Sequence, residues 1–197
     1  MKIKKIVNTC RREGVARIYD TVEGGVQWLS NGYACYPLYE VPVLSEDAFF
    51  TIFDFTPKQR SDTVISRSAF PESINNNDTA AGELLCEMLT PNIPFGSRLL
   101  IPLKTIGGIK FLDSEYLAPL ADESNDMEIY ERISTKGEPY FAVKVGLCLR
   151  AIITPFNAIN KSFVEDIEKI YSLCKRALFN KEAEEACQVG AFDDEEA

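Results

Sequence analysis

Twice in this chain a segment of helical periodicity is followed by three runs rich in β-branched and aromatic residues, with turn residues between the runs. That order restricts the fold more than any other feature. In the first half, Ile3, Ile6, Val7 and Cys10 recur at helical spacing and Gly14 follows where a glycine would end the helix. ARIYDTVEGGVQWLS then reads as two strands with Glu23-Gly24-Gly25 at the turn, and NGYACYPL as a third. In the second half SRLLIPLKT, the Gly107-Gly108 hairpin and IKFL read as strands, SEYLAPLAD as a short helix, and MEIYERIS, YFAVKVG and LCLRAIITP as three more strands. A doubly wound parallel sheet needs regular strand-helix alternation, which is missing. The expected class is therefore α+β, mostly antiparallel, with two loosely repeated helix-plus-three-strand units, about 1–57 and 96–160, and a C-terminal helix.

Between the units, Pro37 and Pro42 break the strand pattern, and Ser45 stands as N-cap of a helix through Phe49, Ile52 and Phe53 that ends near Pro57. Residues 56–78 read as a connecting loop around a strand-like TVISR. Asp78 is placed to cap a third helix through TAAGELLCEMLT, closed by Pro91. The last helix is expected to start at Ser162 with Glu165 completing a capping box, and to bury Phe163, Ile167, Ile170, Tyr171, Cys174 and Leu178. Residues 1–180 are thus read as one domain and 181–197 as an acidic disordered tail. A chain of 197 residues buries enough surface to hold a core without staples.

The net charge of -9 is unevenly spread. Residues 182–197 carry seven acids and no base, whereas residues 1–17 hold six bases (Lys2, Lys4, Lys5, Arg11, Arg12, Arg17) against Glu13 alone. Such asymmetry points to an anionic partner at one end. The chain contains no histidine, which excludes Ser-His-Asp and Cys-His catalysis, and neither GxGxxG nor GxxxxGK[ST] is present. The six cysteines form no CxxC pair; Cys35, Cys148 and Cys174 lie in apolar patterns and are expected to be reduced core thiols. No apolar run reaches the ~20 residues that span a bilayer and no signal-peptide pattern opens the chain, so a cytoplasmic protein without membrane association is expected.

No catalytic residue, metal site or cofactor is expected. Asp113, Glu115, Asp122, Glu123 and Asp126 form a local acidic cluster that leaves a carboxylate metal enzyme formally open, but charges at a helix start account for Asp113 and Glu115. Lys2, Lys4, Lys5, Arg11 and Arg12 are the candidates for phosphate contacts, with a solvated helix face as the plainer account. Trp28, the single tryptophan, falls in the alternating VQWL and is expected in the core; Tyr33, Tyr36 and Tyr39 could form an aromatic patch, with a structural role the simpler expectation.

The stretch IKFLDSEYLAPLADESNDMEIYERIS followed by PYFAVKVGLCLRAIITPF resembles a DNA sliding-clamp domain. The features that carry the resemblance are a strand leading through an acidic residue to a helix with Tyr-Leu (Phe111, Asp113, Tyr116, Leu117) and an apolar run closed by proline (Ile152, Ile153, Pro155). The basic first helix and the VQWLSNGYACYPL hairpin are similar to the other half of such a domain, although the second helix carries only acids. The resemblance implies a non-enzymatic accessory of DNA replication of the kind a phage or mobile element encodes. It would associate with the DNA backbone and a replication protein, and would form a homo-oligomer to encircle DNA. In the tail, QVGAF from Gln188 to Phe192 is similar to short Gln-to-Phe peptides that dock on clamps, which makes Gln188 and Phe192 the partner-binding candidates; Ala191 stands where that pattern has an aliphatic residue. The alternative is a protein-protein interaction or regulatory module that binds no nucleic acid.

Overall fold

The fold is an α+β arrangement, described by a computed structural model for residues 1–21, 25–39 and 41–190. Met1–Asn157 forms one compact unit and a second begins at Ala158.

The first helix, α1 (Ile3–Glu13), turns Ile6, Val7 and Cys10 inward and ends at Gly14, whose φ of 66° is the left-handed conformation that glycine adopts without a Cβ clash. Strands β1 (Val15–Asp20), β2 (Gln27–Ser30) and β3 (Ala34–Leu38) follow as an antiparallel meander. Ser45 caps α2 (Glu46–Ile52) by accepting the Ala48 N–H at 3.1 Å. Thr56 and Gln59 form a capping box for a short α3 (Pro57–Asp62), a helix inside the segment expected to be loop. β4 (Val64–Ala69) then lies parallel to β1.

The expected third helix does not form. Gly82 adopts φ 75°, which breaks helical geometry, and the apolar run divides into β5 (Leu84–Leu85) and β6 (Glu87–Met88). Asp78 accepts the Leu149 N–H at 2.7 Å instead of capping a helix. β7 (Ile93–Phe95), β8 (Arg98–Thr105) and β9 (Gly108–Asp113) complete a small second sheet with β6, all pairing with β8. The expected short helix forms as a 3₁₀ segment, Ser114–Asp126, which contains Pro119. It leads into the second meander, β10 (Met127–Ile133), β11 (Pro139–Val145) and β12 (Cys148–Ile153).

The two meanders join in one eight-stranded sheet of order β4-β1-β2-β3-β12-β11-β10-β5. Its inner six strands read the same from either end: each half contributes a helical segment and then three strands, and the third strands meet through Cys35↔Ile152 and Ala34↔Ile153. Pro37 fits because β12 pairs only with the start of β3, so the missing N–H falls outside that seam. Period-two alternation divides the side chains between the faces. Ala16, Ile18, Leu29, Tyr36, Phe141, Val143 and Ile153 belong to the large core that includes Ile6, Val7 and Cys10 of α1 and Tyr116 and Leu120 of the 3₁₀ segment. Trp28, Cys35, Tyr140, Ala142 and Ile152 make the smaller core, against which Phe70 and Ile74 pack.

In the second unit, α4 runs from Lys161 to Gly190, past the Asn180 end expected from composition. Asn160, two residues before the expected cap, accepts the Phe163 N–H at 3.0 Å. The side expected to be buried is not: Ile170, Tyr171, Cys174 and Leu178 are exposed, and so is Cys148 on β12. Helical periodicity reveals an apolar stripe, but not whether anything covers it.

Candidate functional site

The α1 bases meet the acidic 3₁₀ segment side by side, with the Lys2 N–H donating to Pro119 O at 2.8 Å. Of the five candidate phosphate ligands, three are committed inside the fold or to this neighbour. Lys2 Nζ reaches Asp122 at 2.8 Å. Arg11 donates to the Phe53 carbonyl and to Asn8, and its guanidinium sits 4.5 Å from the Phe55 ring centroid. Arg12 pairs with Glu115 and, at 2.7 Å, with Glu13. Lys4 and Lys5 are exposed and form no salt bridge among the described residues. The face is therefore charge-compensated, with two free cations on its helical edge.

Asp113, the acidic residue ahead of Tyr-Leu, is buried and accepts from Arg98 Nη1 at 2.6 Å. Its other oxygen accepts the Glu115 N–H at 3.1 Å, fixing the turn from β9 into the 3₁₀ segment. Arg98 also donates to the Tyr116 hydroxyl at 3.1 Å and to Glu13 at 3.1 Å, so β8, α1 and the 3₁₀ segment converge on one guanidinium. Burial pushes the Glu13 carboxyl up, but hydrogen bonds and charge from Arg12 and Arg98 outweigh it and hold it below the usual glutamate range. Burial raises the Tyr116 hydroxyl, against the hydrogen bond from Arg98. Each acid of the Asp113, Glu115 and Asp122 set thus has its own cation, and no group of three or more metal-ligating side chains converges among the described residues. The arrangement is suited to holding elements together.

On the opposite face of the large sheet, residues 70–78 form a strap over the smaller core. Arg132, almost fully buried, donates to the carbonyls of Asn75 (3.1 Å), Asn77 (2.9 Å) and Asp78 (3.1 Å), while Glu83 accepts from its Nε at 2.8 Å. Glu83 also pairs with Lys144, and the Tyr140 hydroxyl accepts the Asn75 N–H at 3.1 Å. Burial raises the Glu83 carboxyl, and hydrogen bonds and charge from Lys144 and Arg132 bring it below its ordinary value. Beside the strap lies an open cavity of about 660 Å³, with Trp28, Tyr39, Phe70 and Ile74 as apolar lining and Glu72, Asn76 and Thr135 among the polar groups. Trp28 forms its buried floor, with Phe70 edge-on at 5.3 Å.

The three tyrosines do not form one patch. Tyr36 is buried and donates to Tyr116 O at 2.7 Å, Tyr33 is exposed and stacks on Tyr116 at 6.4 Å, and Tyr39 lies under the Arg150 guanidinium at the cavity. The partner-binding candidate Phe192 lies outside the described residues; Gln188 falls within α4, and its side chain is likewise outside them. The strap and its cavity were missed because an Asn- and Ser-rich stretch reads as linker. The available signal was Arg132 and Lys144, which alternate with the large-core residues and so share the Tyr130 and Tyr140 face.

Comparison with family models, curated proteins and solved structures returned no match.

Proposed function

We propose that the chain is a non-enzymatic, clamp-like accessory of DNA replication, of the kind a phage or mobile element encodes, working through association with DNA or a polymerase. One observation carries this reading: two helical segments and two three-strand meanders share a single sheet in mirrored order, with both helical segments on one face. That is the architecture expected of a scaffold that acts by shape. Lys4 and Lys5 supply exposed charge for backbone contacts without base readout. Fluorescence anisotropy with labelled duplex DNA across a salt series, together with pull-down against replicative polymerases, tests the reading. Binding that weakens as salt rises supports it; absence of association with DNA and with every polymerase at low salt removes it.

A second reading, a protein-binding module without nucleic-acid affinity, is favoured by the charge-compensated α1 face and the aromatic-floored cavity. It expects partner capture that a bulky substitution at Asn76 blocks and that salt scarcely changes.

A further inference from the structure

α4 leaves a continuous apolar surface in water within its own unit: Ile170 is 56% exposed, Tyr171 65% and Leu178 57%. At 3.6 residues per turn, Val164, Ile167, Tyr171, Cys174 and Leu178 step by three and four residues, the spacing of a seam against another helix, and Ile170 widens it on one side. Glu168 and Lys175 border the seam on the other side. Lys161 opens the helix and pairs with Glu165, so the charges that bear on the seam are Glu168 and Lys175, one on each side of its Tyr171–Cys174 centre.

We propose that α4 pairs antiparallel with α4 of a second copy of this chain, Tyr171 of each helix facing Cys174 of the other and Ile167 facing Leu178. This does not depend on the clamp-like reading. In that register each Glu168 lies beside Lys175 of the other helix, so the two-fold axis produces the ion pair twice. A parallel pair would set Glu168 level with Glu168 and Lys175 level with Lys175. Charge complementarity therefore selects both the partner, a second copy, and its direction. The apolar seam supplies the driving force by leaving water.

Sedimentation of the full chain over a concentration series reads the association directly. A concentration-dependent dimer is expected, and a monomer at every concentration overturns the proposal. Ile167→Glu should abolish the dimer with helicity retained by circular dichroism. Glu168→Lys and Lys175→Glu should each weaken dimerisation about tenfold, because two attractive contacts become repulsive. The two substitutions together should restore it, and that combined variant keeps the seam and the helix-forming residues intact. Dimerisation indifferent to all four variants places the contact elsewhere and overturns the proposal. Weakening by the single charge changes without recovery in the combined variant overturns the antiparallel register.

Discussion

Arg98 donates to Asp113 at 2.6 Å across the junction where β8, β9 and the 3₁₀ segment meet, and the carboxylate that receives it is buried. Asp113→Asn takes the buried carboxylate from that guanidinium, which keeps Glu13 and the Tyr116 hydroxyl. Urea unfolding should show a loss of about 2 kcal/mol. Combining it with Arg98→Met should recover part of the loss, since the guanidinium deprived of its carboxylate is then gone and Glu13 keeps Arg12 as its cation.

Stability should fall in acid through Glu13 and Glu83. Both carboxyls are held below their ordinary value of 4.5, so their contribution is complete above that pH and is lost as pH falls through the depressed folded-state values. Glu83→Gln should be less stable than the parent at pH 7, with Arg132 and Lys144 stripped of their carboxylate. The gap should narrow below about pH 4.5, where the parent's own carboxyl takes up a proton. Thermal melts of both proteins along a pH series measure this.

Gly14→Ala should cost about 1.5 kcal/mol, because φ 66° places an L-residue in the left-handed region. A Cβ there would also stand 3.1 Å from the Asp62 carbonyl oxygen. Chemical denaturation of the variant is the measurement, and an unchanged midpoint would contradict the cap.

Trp28 gives a spectroscopic view of the strap, being the sole tryptophan and 3% exposed. Its emission should be blue-shifted in the folded protein. Phe70→Ala removes the ring packed against it and should shift the emission to the red, whereas Phe156→Ala, in the large unit but away from the cavity lining, should not.

For the proposed DNA association, Lys4→Ala with Lys5→Ala should reduce the slope of log affinity against log salt by about 2. Arg11→Ala should change stability more than that slope, since its guanidinium is committed to the Phe53 carbonyl and the Phe55 ring.

Local signals carried the parts of the fold that local physics decides. The α1 stripe and Gly14, the Ser45 cap and the two meanders were legible because spacing, capping and turn chemistry act over a few residues. Leu84 and Leu85 were not, because their strand conformation is imposed by pairing with Glu131 and Tyr130 of β10. The same limit governs the site. Arg11 and Arg12 looked available for phosphate because Phe53 and Glu115, which occupy them, are remote in sequence. Alternation would have placed Arg132 and Lys144 on the strap face, whereas the backbone carbonyls that Arg132 restrains could not be read from an asparagine run.

The seam between β3 and β12 has a consequence for how the chain is made. Each meander can assemble from neighbours as it leaves the ribosome, but Cys35 meets Ile152 only after nearly the whole large unit has been synthesised. Until then the free edge of β3 waits unpaired at what will become the middle of the sheet, and joining it to β12 closes the longest loop of any strand pairing among the described residues. The nascent chain is therefore most open to mispairing during the interval between synthesis of β3 and synthesis of β12.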